Sequence, residues 1–181
     1  MIRSTVTTQK IMPRLKIANF TPMWGSHMPV LIKILEISEG PVLELGIGPF
    51  STPLLHTLCE IRNRPLVSYE NDPNYMNSHR AFPSDNHKMF FVENWDDAKI
   101  DDVQWGMAFV DHGPDYRRNT EITRLKDNSQ FVVVHDTEPN NNPLYKYEEI
   151  LPLFKYRLHY DRLFPHTDVF SNFIDVTDLK I

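Results

Sequence analysis

Two glycines separated by one residue follow a short apolar run and precede a segment suited to a helix. Gly46 and Gly48 form this pair, Glu44 stands two residues before it, and Ser51 and Thr52 follow it. Glycine has no Cβ atom, so the backbone can turn tightly there and a ligand can approach it closely. Ser51 or Thr52 can cap the helix, and the free amides at a helix start attract an anionic group. The pattern is typical of a ligand-binding loop, although a tight strand-to-helix turn without a ligand uses the same residues.

An acidic residue, Glu70, ends the second apolar run, 22 residues beyond Gly48. In a strand–helix–strand unit, an acid at this distance reaches the hydroxyls of a bound ribose. Glu70 considered alone is equally compatible with a solvated acid at a strand end. Because the glycine pair and Glu70 occur in register, the sequence favours a nucleoside-containing cofactor.

Two aspartates, each next to a histidine, end later apolar runs. The pairs are Asp111 with His112 and His135 with Asp136. The carboxyl ends of parallel strands meet at the edge of an open α/β sheet where ligands bind, so we expect the two aspartates to be neighbours there. Either histidine can act as a general base, because the pKa of histidine lies near working pH. Either can equally be a partly buried, hydrogen-bonded side chain of the sheet.

Short apolar runs and segments suited to helices alternate from residue 40 onward. The runs are 42–45, 66–69, 89–92, 107–110 and 131–134, and the helical segments are 51–62, 73–80, 115–126 and 143–154. Nearly continuous apolar runs are typical of buried parallel strands. The alternation predicts an α/β fold with a doubly wound, Rossmann-like and mostly parallel sheet. We expect a helix at 27–38 before the first strand, and an antiparallel hairpin of strands 156–160 and 168–174 at one edge.

The composition of the 181 residues predicts one globular unit. Hydrophobic residues make up 41% and charged residues 24%, which excludes a disordered polar tail and a membrane bundle. No apolar stretch approaches the ~20 residues that a membrane span needs. The single cysteine, Cys59, excludes an internal disulfide and suits a reducing, cytoplasmic location. We expect an extension at 1–26 followed by one domain at 27–181.

Charge is unevenly distributed along the chain. Residues 1–35 hold five of the 19 basic residues and none of the 24 acidic ones, so the rest has 14 basic residues against 24 acids, a net of −10. A basic arm can meet an anionic substrate, a nucleic acid or a lipid surface, or it can be a solvated leader. The overall charge of −5 argues against a protein that coats nucleic acid. We therefore expect neither a nucleic acid nor a membrane as partner.

The motif Glu44-x-Gly46-x-Gly48 resembles the first motif of the class I S-adenosylmethionine-dependent methyltransferases, which is an acid, any residue, and then glycine-x-glycine. The following residues 50–52 are similar to those of the small-molecule O-methyltransferase branches. The resemblance covers about residues 40–175. It implies that S-adenosylmethionine is the cofactor, and that related segments before the first helix, here 24–27, fold over it.

The resemblance also assigns cofactor-binding residues. They are Glu44, Gly46, Gly48, Ser51, Thr52, Glu70, Asn94 and Trp95. Glu70 would hold the ribose, and Asn94 and Trp95 would border the adenine. Trp95 offers a stacking face for adenine, and ordinary packing against the sheet edge explains it equally well.

In the same family the end of the fourth strand faces the transferred methyl group, which makes Asp111 and His112 the catalytic candidates and favours His112 over His135 as the base. Asp111 and Asp136 are similar to the aspartate pair that holds magnesium in the catechol-type branch. That branch has a third ligand, an asparagine, at the position that Thr137 occupies here. Mg²⁺ bound by the two aspartates, directly or through water, and a site without metal both remain open.

The predicted reaction is methyl transfer from the sulfonium of S-adenosylmethionine to an oxygen of a small-molecule acceptor. A non-catalytic nucleoside-binding protein is one alternative. A nicotinamide-dependent oxidoreductase is the other, but the third glycine of its fingerprint is replaced by Ser51, and no Tyr-x-x-x-Lys spacing occurs at the expected sheet edge. The short chain leaves acceptor selection to the extension, to loops, or to a second subunit in a homo-oligomer.

Overall fold

The structure, a computed structural model, describes residues 22–181, and seven strands form one mixed sheet in it. The predicted extension therefore lies largely outside the described residues. The strands are β1 (Val42–Leu45), β2 (Leu66–Glu70), β3 (His87–Phe91), β4 (Trp105–Val110), β5 (Ser129–His135), β6 (Tyr156–Tyr160) and β7 (Thr167–Ser171). Their order is β3-β2-β1-β4-β5-β7-β6.

The direction of the strands confirms the predicted fold class. β1 to β5 run parallel, and β7 is antiparallel to both β5 and β6, so the edge hairpin is present. The chain moves outward from β1 to β3 and then returns to the other side of β1 for β4 and β5. The crevice at such a switch point, at the carboxyl ends of β1 and β4, is where open α/β sheets bind ligands.

Helices cover the sheet. They are α1 (Met28–Ile37), α2 (Ser51–Arg62), α3 (Pro73–Ser78), α4 (Arg118–Leu125), α5 (Asn142–Tyr145) and α6 (Tyr147–Ile150). The helix predicted at 143–154 is divided because Lys146 has a left-handed backbone conformation, with φ of 54°. Among the described residues, every helix is too short or too polar to cross a membrane.

Two apolar layers flank the sheet and explain the continuous apolar runs. Phe131 and Val133 pack in one layer with residues of α1 and α2, whereas Val132 and Val134 pack in the other layer with residues of α4. Successive strand residues point to opposite faces, so a strand covered on both sides must be apolar at every position. This rigid support holds the carboxyl ends of the parallel strands in place.

Gly46 brings the end of β1 against the segment that follows β4. Its φ is +96°, and a Cβ atom there would lie 2.6 Å from the carbonyl oxygen of Asp111. The neighbour is backbone rather than a flexible side chain, so a larger residue cannot be accommodated by a rotamer change. Both the conformation and the close approach require glycine.

Replacing Gly46 with alanine should lower the free energy of unfolding by about 3 kcal/mol, because left-handed strain and overlap with backbone add. Urea unfolding followed by circular dichroism measures the loss. Gly113→Ala is the matched control, since a Cβ at Gly113 meets no atom within 4 Å. Equal losses in the two variants would contradict the close approach at Gly46.

Candidate functional site

A cavity of about 880 Å³ opens at the carboxyl ends of β1, β2, β4 and β5. Its lining comes from the loops that follow these strands and from the segment before α1. The lining residues used below are Trp24, His27, Gly46, Ile47, Gly48, Ser51, Glu70, Asp72, Tyr75, Asp111, His112, His135, Asp136 and Pro165. The glycine pair, Glu70 and both strand-end aspartates therefore share one cavity.

The Glu70 carboxylate joins the glycine loop to the end of β2. Oε2 accepts a hydrogen bond from the amide of Ile47 at 2.7 Å, and Oε1 accepts from the amides of Asn71 and Asp72 at 2.8 and 2.7 Å. Burial raises the pKa of Glu70 despite these donors. A carboxylate has about four acceptor positions, so Oε2 keeps one for a ligand hydroxyl.

Glu44 supports the glycine loop from below. Its side chain is completely buried and does not line the cavity. Oε1 accepts from the hydroxyl of Thr52 at 2.9 Å, and Oε2 accepts from the hydroxyl of Ser68 at 2.6 Å. The Thr52 hydroxyl in turn accepts from the amide of Gly48 at 3.0 Å. Glu44 and Thr52 thus hold Gly48, whereas Ser51 reaches the cavity itself.

The Trp95 ring packs behind the cavity. The side chain is 3% exposed, its Nε1 donates to the carbonyl of Gly113 at 2.7 Å, and its ring stacks on His112 with 4.0 Å between centroids. Asn94 is exposed, and its side chain accepts from the amide of Asp96 at 3.1 Å. Neither Asn94 nor Trp95 lines the cavity.

His112 lines the cavity, but its ring is held within the protein. Besides stacking on Trp95, the ring places Nε2 3.4 Å from a carboxylate oxygen of the buried Glu121. Burial lowers the pKa of His112, which outweighs the opposite effect of Glu121. The neighbouring Asp111, in contrast, turns its carboxylate toward Arg118 and His135.

Arg118 joins the two strand-end aspartates. Its Nη2 lies 2.9 Å from Oδ1 of Asp111, and its Nη1 lies 3.0 Å from Oδ2 of Asp136. The guanidinium is almost fully buried and lies over the ring of Tyr145, 4.8 Å from its centroid. Although burial opposes its charge, these carboxylates raise the pKa of Arg118. The side chain is therefore a permanent internal counter-ion.

This arrangement does not fit magnesium held by Asp111 and Asp136. Each aspartate already gives one oxygen to the same guanidinium, which also neutralises one of the two negative charges. Mg²⁺ demands an octahedral set of oxygen ligands, including several waters. In this protein an arginine takes the bridging place between the two aspartates that the resemblance assigned to the metal.

His135 is the histidine whose ring lies beside Asp111. Its Nδ1 is 3.3 Å from Oδ2 of Asp111 and 3.5 Å from Oδ1 of Asp136. Its Nε2 lies 2.8 Å from the hydroxyl oxygen of Ser26, whose proton goes to the carbonyl of Pro165 at 2.7 Å. Nε2 must therefore carry a hydrogen and donate it to Ser26. Burial opposes protonation, but the adjacent Asp111 outweighs it and raises the pKa of His135.

His27 completes the group next to His135. The two rings meet edge to face with 4.7 Å between centroids, and His27 also packs on Phe109. The side chain is 2% exposed, and neither ring nitrogen has a hydrogen-bond partner among residues 22–181. Burial, helped by His135, lowers the pKa of His27 to about 3, so its ring is neutral. The sequence analysis placed His27 only within the segment 24–27 expected over the cofactor, and no spacing in the sequence predicts that His27 or Arg118 lies beside the two aspartates.

No protein-family model and no curated protein matches the chain. The fold, however, is similar to solved structures of methyltransferases. Cofactor-bound Rv0187 from MTB is 14% identical with a TM-score of 0.63, and the match covers 89% of this chain and 85% of that one. The N-terminal domain of human METTL16 in complex with SAH is 13% identical with a TM-score of 0.58, over 87% and 73% of the two chains.

A third similar structure is a protein from Staphylococcus aureus whose assignment as a caffeoyl-CoA O-methyltransferase is provisional. It is 10% identical, with a TM-score of 0.56 over 87% of this chain and 86% of that one. At these identities the similarity shows the fold. The chain has the fold of the class I S-adenosylmethionine-dependent methyltransferases, as the motif around Gly46 predicts.

The buried carboxyl of Glu44 should make stability depend on pH. Burial raises its pKa to about 7, above the unfolded value of 4.5, so the folded state binds the extra proton between these values. The contribution of Glu44 to stability is then fully present below about pH 4.5 and is lost as pH rises to 7. Compared with Glu44→Gln, the wild type should lose about 3 kcal/mol between pH 4.5 and 8.

Urea unfolding of both proteins across this pH range measures the difference. Glu39→Gln is the control, because Glu39 is exposed and precedes the amino end of β1. Parallel pH profiles for Glu44→Gln and the wild type would show that folding does not raise the pKa of Glu44.

Removing the Arg118 guanidinium by Arg118→Met should cost about 3–5 kcal/mol at pH 7, because two partly buried carboxylates lose their counter-ion. In the wild type, burial alone would raise the pKa of Asp111, but the charges of His135 and Arg118 outweigh burial and lower this pKa. That stabilisation is present above the unfolded pKa of about 3.8 and is lost below it. The difference in free energy of unfolding between Arg118→Met and the wild type should therefore become smaller toward pH 3.

Chemical unfolding at pH 7, 5 and 3 tests this expectation. The matched control is Arg162→Met, an exposed arginine whose removal should cost less than ~1 kcal/mol. A penalty for Arg118→Met that is independent of pH would mean that the arginine acts through packing alone.

Proposed function

We propose that this protein binds S-adenosylmethionine in the cavity and transfers its methyl group to an oxygen of a small-molecule acceptor. One observation carries the proposal: the glycine loop and the Glu70 carboxylate meet at the cavity that Asp111 also lines. The amide of Ile47 in this loop donates to Oε2 of Glu70 at 2.7 Å. Similarity to structures that hold a cofactor or SAH supports this choice of ligand.

The proposed cofactor position follows from the lining of the cavity. The remaining acceptor position of Glu70 Oε2 receives a ribose hydroxyl of S-adenosylmethionine. Gly46 and Gly48 have no Cβ atoms, so the methionine part of the cofactor lies close to their backbone. Tyr75 lines the cavity beside Asp72 and is 41% exposed. Its ring therefore offers the adenine a stacking face, in the role that the resemblance gave to Trp95. The sulfonium methyl then points toward Asp111.

The reaction is an in-line displacement. The acceptor oxygen forms a bond to the methyl carbon, the carbon–sulfur bond breaks, and the electron pair stays on sulfur as S-adenosylhomocysteine leaves. Because the donor is already activated, the protein mainly has to align donor and acceptor. Asp111 orients the acceptor hydroxyl, and the proton passes to the Asp111–His135 pair. His135 thus takes the role that the sequence pattern assigned to His112.

An oxygen acceptor of small size suits the reaction end of the cavity. Pro165 lines the cavity and its carbonyl accepts from Ser26, which is hydrogen-bonded to His135, and Trp24 lines the same cavity. Carboxylate and imidazole groups favour a hydroxyl, whose proton must be removed during transfer. The provisional O-methyltransferase among the similar structures agrees with this choice.

Replacing Glu70 with glutamine should weaken the binding of S-adenosylhomocysteine about 10-fold or more, because a charged acceptor of the ribose hydrogen bond is lost. Isothermal titration calorimetry measures the affinity, and thermal unfolding verifies that the variant is folded. Glu39→Gln should bind as the wild type does. Equal affinities for Glu70→Gln and the wild type would remove the ribose assignment.

Methyl transfer itself is tested with labelled S-adenosylmethionine and a panel of phenols, sugars and carboxylates. Incorporation into a hydroxyl compound is the expected result. Failure of the wild type to bind either S-adenosylmethionine or S-adenosylhomocysteine at high micromolar concentration would overturn the proposal as a whole.

A further inference from the structure

Two histidines and one aspartate at the cavity have the composition of a transition-metal site. The ligand atoms of His27, Asp111 and His135 all lie within 4.8 Å of one another. We propose that these three side chains bind a divalent transition ion such as Zn²⁺ or Co²⁺, with a further coordination position open to the cavity. The site shares Asp111 with the magnesium pair considered above, but it uses nitrogen ligands and excludes Asp136.

The distances suit tetrahedral coordination. Metal–nitrogen and metal–oxygen bonds of about 2.0–2.1 Å place two ligands of a tetrahedron about 3.3–3.4 Å apart. His135 Nδ1 and Asp111 Oδ2 are 3.3 Å apart, which is long for a strong hydrogen bond and matches this edge. The whole set lies within 4.8 Å, so binding an ion requires the third ligand to move by no more than about 1.5 Å.

His27 supplies the observation that a hydrogen-bonded cluster does not explain. Both of its ring nitrogens are buried without a partner in the described part of the chain, although the ring lines a polar cavity. Leaving a buried polar group unpaired is costly, and such groups need an explanation in a native protein. A bound cation accepts the lone pair of the neutral imidazole and removes this cost.

The surroundings of the other two ligands have the form of an outer coordination shell. A metal-binding histidine usually donates its second ring N–H to a fixed acceptor. His135 Nε2 does so to Ser26, whose hydroxyl is anchored on the carbonyl of Pro165. Arg118 holds Oδ1 of Asp111 and leaves Oδ2 directed at His135.

The charges are compatible with a divalent ion. Asp111 and Asp136 contribute two negative charges and Arg118 one positive charge, so the metal-free cluster with neutral imidazoles carries a net −1. A divalent ion changes this to +1 and takes the Nδ1 lone pair of His135 that accepts the proton in the metal-free protein. It then offers its open position to the acceptor oxygen as an anion. Imidazole nitrogens favour zinc, cobalt or nickel over magnesium, which prefers oxygen.

Titration of the full-length, EDTA-treated protein with Zn²⁺ and Co²⁺ tests the proposal, with Mg²⁺ as the comparison. We expect one equivalent of Zn²⁺ to bind at least about 100-fold more tightly than Mg²⁺, and bound Co²⁺ to show the visible spectrum of tetrahedral coordination. His27→Gln should weaken Zn²⁺ binding at least about 10-fold. Ser26→Ala should weaken it about 10-fold, because it removes the partner of the His135 N–H.

His79→Gln is the matched control, since His79 is equally buried but does not line the cavity, and it should bind Zn²⁺ as the wild type does. Urea unfolding establishes that each variant is folded, and the wild-type Co²⁺ spectrum tests the site even where a variant is not. No Zn²⁺ binding by the wild type, equal affinity for Mg²⁺ and Zn²⁺, or unchanged binding in folded His27→Gln would each overturn the proposal.

The metal site and the proposed methyl transfer fail separately. Calorimetry with S-adenosylhomocysteine on the same metal-free sample reports the cofactor site alone. Cofactor binding without Zn²⁺ binding overturns only the metal proposal, whereas Zn²⁺ binding to His27 without cofactor binding supports the metal site and overturns the proposed function.

Discussion

The cavity depends on the hydrogen bonds of one buried carboxylate. Glu70 accepts three backbone N–H groups, from Ile47, Asn71 and Asp72, and so ties the loop after β1 to the loop after β2. Without this acceptor the buried amide of Ile47 would be unpaired, which costs more than the bond itself contributes. Gly46 adds the second condition, because only a residue without Cβ lets the chain pass the backbone at Asp111. The loops are therefore shaped before any ligand arrives.

Charge balance is the second requirement of the site. Strand ends that converge at a switch point bring Asp111 and Asp136 together, and two carboxylates in a partly dry cavity repel each other unless a cation intervenes. Arg118, at the start of α4, meets both and is itself enclosed by Tyr145. The arrangement lowers the pKa of Asp111 and leaves one oxygen of Asp111 directed toward His135. At this edge a carboxylate–imidazole pair therefore lies beside a permanent counter-ion.

The fold alone leaves the acceptor open, since one architecture supports many reactions. A segment before α1 contributes Trp24 and His27 to the cavity lining and places Ser26 beside His135. Ser26 reaches across to both His135 and the carbonyl of Pro165. This segment therefore forms part of the wall of the cavity, and whether residues 24–27 cover a cofactor stays a prediction.

Local patterns in the sequence determined the sheet, the glycine loop and the position of Glu70. β1, α2 and β6 begin and end where the apolar runs and turns predict, because these signals act over a few neighbouring residues. The predicted cap of α2 is wrong, because Phe50 is the N-cap residue and Ser51 and Thr52 lie inside the helix. The spacing of Gly48 and Glu70 was also sufficient to predict that Glu70 lies beside the glycine loop, because one strand–helix–strand unit sets the distance between them.

The tertiary structure alone decided which side chains face the cavity. In Asp111-His112 the ring of the histidine packs against Trp95, while in His135-Asp136 a φ of 59° at Asp136 turns the chain so that both side chains reach the site. Adjacent residues in extended chain point to opposite sides, and a sequence does not state which side a strand end presents. Arg118 and His27 come from elements that no local pattern connects to the strand ends. Their roles arise only from long-range packing, which brings distant parts of the chain within contact distance of one another at the cavity.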